Sequence, residues 1–230
     1  MNKKDKVITY LKNRDPRKLQ ENLVLAYDLV KHFSSNSDEE RQIRGDIAEF
    51  VNKQIVDNII MLNPNIEGKP MYSPIFKGNN KSTELDSILI SNVGVFSIEV
   101  KSFYGQYVVT SDGLFTRTYP SKTIYKVLAQ NSSHCRYIYS QIKDLIPNQN
   151  PYGVKGIIVV FGDCSFIDKR TDIEKEICPI CYPWDLYKHI KINQKMKLNS
   201  DIIYKRLMSK ADFSKKARED HIKYIKSLRK

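Results

Sequence analysis

The sequence predicts an α/β fold, a mixed β-sheet core flanked by helices, with helical extensions at the N- and C-termini. Three observations predict it. Two runs, 84–91 (ELDSILIS) and 94–101 (GVFSIEVK), alternate like strands around a tight connection through Ser91, Asn92, Val93 and Gly94. A continuous apolar run over 154–161 is of the kind that is buried on both sheet faces. Segments 37–62 and 122–146 carry apolar residues at helical spacing, so helix, strands, helix and strand follow in order.

Along the chain, residues 1–36 read as two helices. Asp15 and Pro16 suit an N-cap followed by a first-turn proline, and Leu19, Leu23, Ala26, Leu29, Val30 and Phe33 recur at helical spacing. Ser37 and Glu40 then fit a capping box. The helix behind it carries Ile43, Ile47, Phe50, Val51, Ile55 and Ile59 on one stripe and stops near Leu62, before Asn63 and Pro64. Residues 71–77 read as an edge strand containing Pro74. Gly78, Asn79, Asn80 and Lys81 turn into the 84–91 strand, and 105–110 with 114–118 form a hairpin around Ser111, Asp112 and Gly113. The helix over 122–146 ends at the segment from Pro147 to Pro151, and residues 183–230 read as helical. Three regions result: a helical extension at 1–36, a core at 37–195 and a basic helical segment at 196–230.

With 230 residues the chain holds one core domain with additions, or two small domains. Its 41% hydrophobic content supports a packed globule and excludes a disordered tail. Lys and Arg number 38 against 26 Asp and Glu, a net charge of +12, which favours polyanionic partners: nucleic acid or an acidic membrane surface. A lysine-rich solvated surface gives the same balance. Four cysteines in a chain of this size do not make a disulfide scaffold. No apolar run approaches the roughly 18 residues of a membrane span, and the apolar patch over 7–11 is too short for a secretory leader. A cytoplasmic location is expected.

Chemistry concentrates at one sheet edge. Side chains alternate along a strand, so Glu99 and Lys101 share a face while Val100 points into the opposite layer. Charges on an otherwise apolar strand are costly without partners. Pairing across the hairpin brings Asp86 toward that face. Two acids and a lysine there suit a divalent cation with a water-positioning amine beside it. A solvated surface hairpin is the alternative.

These residues, as D…ExK, resemble the PD-(D/E)xK nuclease superfamily. The surrounding blocks, RGDIAE at 44–49, ELDSILI at 84–90, GVFSIEVKSFYG at 94–105 and VKGIIVVFGD at 154–163, resemble its nuclease-related domain family, NERD. The resemblance covers roughly residues 40–190 and implies a restriction-endonuclease-like core and metal-dependent hydrolysis of DNA, with RNA left open. It implies Asp86, Glu99 and the Val100 carbonyl as ligands for Mg²⁺ or Mn²⁺, with Lys101 orienting or deprotonating water or stabilising the transition state. It also implies an acid from the first core helix. Asp46 stands where the family has glutamate after glycine; it lies at the edge of the apolar stripe while Glu49 turns further toward solvent, which makes Asp46 the better candidate. Gln130, on the later helix, is implied to reach the site or substrate backbone, although Lys126 and Val127 stand where the family often has Asn-Pro. His134 shares its face.

Two features lie apart. Cys178 and Cys181 form a single CxxC near His189, too few ligands for a zinc site, so buried thiols on an apolar strand are expected. Residues 210–230 form a basic amphipathic helix with Phe213, Ala217, Tyr224 and Leu228 on its apolar stripe. Lys215, Lys216 and Arg218 on this helix are candidates for gripping phosphate. Two rival functions remain at this level: a non-catalytic nucleic-acid-binding protein keeping the nuclease fold, and a basic module for protein or membrane-surface interaction.

Overall fold

Helix α1 (Asp38–Leu62) opens the core, capped by Ser37, whose Oγ accepts the Glu40 N–H at 3.2 Å. It buries Ile43, Ile47, Val51, Ile55 and Ile59 against the sheet. The computed structural model describes residues 37–78, 81–146, 153–190 and 198–227, and within the N-terminal segment residues 9, 10, 13, 18, 21, 22, 24, 25 and 28. The cap expected at Asp15 and Pro16, the apolar series at Leu19, Leu23, Ala26, Leu29, Val30 and Phe33, the turn at Asn79 and Asn80, the break from Pro147 to Pro151 and Leu228 lie outside the described residues.

The strand expected over 71–77 is two strands in different sheets, β1 (Gly68–Tyr72) and β2 (Ile75–Gly78). The run over 84–91 is likewise split, into β3 (Lys81–Glu84) and β4 (Ser87–Ser91). Both breaks occur at one crossing. Ser73 takes a left-handed φ of 47°, and Pro74 has no N–H to give a ladder. The Ser73 N–H donates to the Asp86 carbonyl at 3.0 Å and the Leu85 N–H to the Pro74 carbonyl at 3.1 Å. The two chain segments thus leave one sheet together and enter another, and Asp86 is held at the corner.

The central sheet has the order β1-β4-β5-β9-β11, with β5 at Gly94–Ser102, β9 at Lys155–Phe161 and β11 at Ile180–Cys181. Strands β1, β4 and β5 are antiparallel, and β5, β9 and β11 are parallel. Leu89, Ile98, Val100, Ile157 and Val159 pack under α1. Ile88, Ile90 and Val95 face the other way, under α2 (Val127–Ile142) and, further along the chain, Ile203 and Leu207. Glu99 and Lys101, out of phase with Val100, therefore belong to the α2 side.

A second sheet, β10-β6-β7-β8, comprises β6 (Gly105–Val109), β7 (Phe115–Tyr119), β8 (Thr123–Tyr125) and β10 (Cys164–Asp168). The helix expected from residue 122 starts only at Val127, because Thr123, Ile124 and Tyr125 extend this sheet, as their β-branched and aromatic side chains favour. After α3 (Asp172–Ile177), α4 (Leu186–Ile190) and α5 (Ser200–Met208), the short β12 (Ala211–Asp212) interrupts the expected helical run and adds to β2 and β3. Helix α6 (Lys215–Ser227) then packs on β3 through Ala217. No helix among the described residues is long and apolar enough to cross a membrane.

Candidate active site

Strand β4 begins at Ser87, opposite Ile98, so Asp86 stands off its end beside Glu99. The Asp86 Oδ2 accepts the Val100 N–H at 2.7 Å. A ladder residue turns its N–H and C=O toward the same neighbour, so the Val100 carbonyl also faces the edge that β4 has vacated. Glu99 is 1% exposed, and its Oε1 accepts from the Lys101 ammonium. Its Oε2 lies 3.1 Å from Nδ1 of His134, a buried residue of α2, without the alignment of a hydrogen bond. Behind the corner, buried Asn52 of α1 donates from Nδ2 to the Ser87 Oγ at 3.1 Å, which fixes α1 against the start of β4.

These charges act on one another. Burial, then the Glu99 charge with Glu49 adding to it, pushes the Asp86 carboxyl well above the usual range, against Lys101. Burial pushes Glu99 the same way, but His134 and Lys101 outweigh it and hold this carboxyl below its ordinary value. For Lys101, burial favours the neutral amine, yet Glu99, Asp86 and Glu49 prevail and raise its pKa. Lys101 therefore carries an ammonium at neutral pH. Glu49 of α1 is pushed up to about 7 by burial, with Asp46 and Glu84 adding to the effect and Arg218 and Lys101 opposing it.

A carboxylate pair and a lysine thus meet at the end of adjoining strands, with the helix acid Glu49 acting on them. The family model of the nuclease-related domain, NERD, matches residues 44–161. The chain belongs to the NERD family. The matched span runs from α1 through β9 and carries Glu49, Asp86, Glu99, Lys101, Gln130 and His134, and leaves α6 outside. No curated protein and no solved structure matches the chain.

Within this NERD domain the sequence candidates are distributed unevenly. Asp86, Glu99 and Lys101 converge. Asp46 is half-buried on α1, its Oδ1 accepts from Gln42 at 3.1 Å, and its charge acts on Glu49. Glu49, which the apolar stripe turns toward solvent, is the α1 acid that acts on Asp86 and Lys101. The stripe misleads because Arg44 and Asn52 are buried as well, which centres the packed face near Ala48. At about 100° per residue, Glu49 lies about 100° from that centre and Asp46 about 160°. Gln130 is exposed on the first turn of α2 and lines the same cavity as Lys101. Lys215, Lys216 and Arg218 are all exposed on α6, and Arg218 lies 3.4 Å from Glu84 and 3.9 Å from Glu49. No local pattern signals that contact. His134 was legible only as a neighbour of Gln130 on the helix face.

The donor set bears on a metal. Carboxylate and carbonyl oxygens suit a hard cation such as Mg²⁺, which commonly takes one or two carboxylates and keeps its waters. Buried Oε2 of Glu99, lacking an aligned hydrogen bond, and the raised Asp86 carboxyl are what a cation would relieve. Among the described residues no group of three or more His, Cys, Asp or Glu side chains gathers as a metal shell, so the fit rests on two carboxylates and a backbone oxygen.

Proposed function

We propose that this NERD protein is a metal-dependent nuclease that hydrolyses phosphodiester bonds in DNA. The convergence of Asp86, Glu99 and Lys101 at the β4–β5 edge carries the proposal. Asp86, Glu99 and the Val100 carbonyl would hold Mg²⁺ or Mn²⁺, with Glu49 rather than Asp46 as the helix acid beside them. The ion, when bound, polarises the scissile phosphate and acidifies a water. In the metal-free site the neighbouring carboxylates hold the proton on Lys101, and an ammonium there would orient the attacking water and stabilise charge on phosphorus. Glu99 fixes the Lys101 ammonium, and His134 backs the far carboxylate oxygen. The water would add its oxygen to phosphorus and release a proton to solvent, while the bond to the leaving sugar oxygen breaks and that oxygen takes a proton from solvent.

The test is cleavage of circular and linear DNA by purified protein with Mg²⁺, with Mn²⁺ and with a chelator. The expected result is metal-dependent cutting that Asp86→Asn and Lys101→Ala abolish while DNA binding persists. Absence of cutting with either metal, or a Lys101→Ala protein as active as the parent, overturns the proposal. The first of those results favours a non-catalytic binder.

A further inference from the structure

A cavity of about 950 Å³ opens between the first turns of α1, the end of β5, the β6–β8 sheet and the start of α2. We propose that it is a groove for one unpaired nucleic-acid strand, so that the site receives single-stranded rather than duplex substrate. The proposal rests on the nuclease reading for the role of Lys101, and on the cavity itself for the rest.

Charge is the first argument. Arg41, Arg44, Lys101, Arg117 and Lys126 all line the cavity, and no carboxylate does. They come from four separate elements, α1, β5, β7 and the approach to α2, so folding gathers them where no single basic run would. Lys101 is paired with Glu99 at the inner end, and the cations beyond it give the cavity a basic wall that suits a polyanion. Arg44 is only 6% exposed; burial holds its guanidinium below the usual value, Arg41 adds to the effect and Glu40 opposes it. Arg117 is held in place by neutral groups: it donates to the Ser121 carbonyl and Oγ, both at 2.9 Å, and to the Thr123 Oγ1 at 3.0 Å. Its cation is thus oriented but not neutralised by these contacts.

Size and lining supply the second argument. The volume is that of a pocket for small ligands, roughly 300–1,000 Å³, which admits a few nucleotides of one strand and not a double helix. Half-buried Tyr104 and Tyr125 line the same walls. A cationic groove with aromatic rings is how proteins hold single strands, phosphates on the charges and bases on the rings. Lys101 and Gln130 lie in the lining, so a strand in the groove runs to the proposed reaction centre.

The test is fluorescence anisotropy on the full chain in chelator, where nothing is cut. The probes are a labelled oligothymidine and a blunt hairpin duplex carrying the same label. The single strand should bind at least about tenfold more tightly. Lys126→Ala, at an exposed position, should weaken strand binding severalfold and reduce its salt slope by about 1. Lys126→Arg should restore it, and duplex binding should change little. Arg117→Ala should act in the same direction, checked against its melting curve because its anchors are lost. Equal affinity for the two probes, wild-type strand binding by Lys126→Ala, or equal competition by free deoxyadenylate would each overturn the groove. Because the assay needs no metal, a failure of hydrolysis leaves it standing, and cutting without strand preference sinks the groove alone.

Discussion

Replacing Glu49 by glutamine should stabilise the protein by an amount that grows as pH rises. Burial raises the Glu49 carboxyl from an ordinary 4.5 to about 7 in the fold. A carboxyl raised in the folded state favours folding while protonated. Its contribution is fully present below about 4.5 and is lost as pH climbs to about 7. At about 1.4 kcal/mol per pH unit, that interval sets a ceiling of about 3.4 kcal/mol. The side chain is 35% exposed, and solvent screening brings the expected effect to about 1–2 kcal/mol. Glutamine cannot ionise, so Glu49→Gln escapes the loss. The assay is urea unfolding in chelator, parent against variant, from about pH 4 to about pH 8.5. The stability gap should start near zero, or slightly unfavourable through the lost Arg218 contact. It should then widen by about 1–2 kcal/mol before levelling near pH 8. A gap that stays constant, or narrows with rising pH, would refute the buried, proton-holding Glu49 described above.

Three further outcomes are expected. Asp86→Ala leaves the Val100 N–H without its acceptor and should cost about 1–3 kcal/mol on denaturation, whereas Asp86→Asn keeps an accepting oxygen and should melt like the parent while losing cleavage. Gly162 has a φ of +103°, and a Cβ there would meet the Phe103 carbonyl oxygen at 2.2 Å. Gly162→Ala should therefore destabilise by at least about 1–3 kcal/mol, and a neutral result in urea would show that the β9–β10 turn relaxes freely. The Arg170 side chain is 1% exposed, pairs with Asp168 at 2.7 Å and donates to the Cys178 carbonyl at 2.8 Å. Arg170→Ala should lower stability by about 3–5 kcal/mol, read as a fall in melting temperature.

The most legible part of the site was its strand. Alternation along β5 fixes Glu99 and Lys101 on one face, and a tight Ser91–Gly94 turn fixes the register that brings Asp86 opposite Glu99. The breaks at Ser73–Pro74 and Leu85–Asp86 were not legible, since Leu85 and Asp86 continue the alternation of ELDSILIS. Tertiary hydrogen bonds between the two corners impose the change of sheet. The start of α2 is not legible because Ile124 sits in phase with the helical stripe behind it, and only the β7 neighbour decides for a strand. That Glu49 acts on Asp86 and Lys101 is not legible, because apolar counting cannot see a buried Arg44 or Asn52. Arg218 contacts Glu49 across 169 positions, a separation at which no local pattern operates.

The charge balance around β5 links these observations to the proposed chemistry. Asp86, Glu99 and Glu49 act on one half-buried ammonium, Lys101, which is held most closely by Glu99. Arg218 reaches the edge of the group from α6, at 3.9 Å from Glu49, and is 48% exposed, so water screens much of its charge. Positive charge is therefore short at the centre. In the metal-free cluster burial, with the neighbouring carboxylates adding to it, raises both Asp86 and Glu49 and so favours their protonated forms. Under the proposed chemistry a divalent cation answers the same deficit and must displace those protons to bind. Its affinity should then weaken as pH falls through about 7, the value at which Glu49 takes up its proton. In the metal-free site Lys101 stays charged, because the neighbouring carboxylates strengthen its hold on the proton. Under the proposed chemistry, therefore, Asp86 and Glu49 would exchange protons for a cation beside the Lys101 amine.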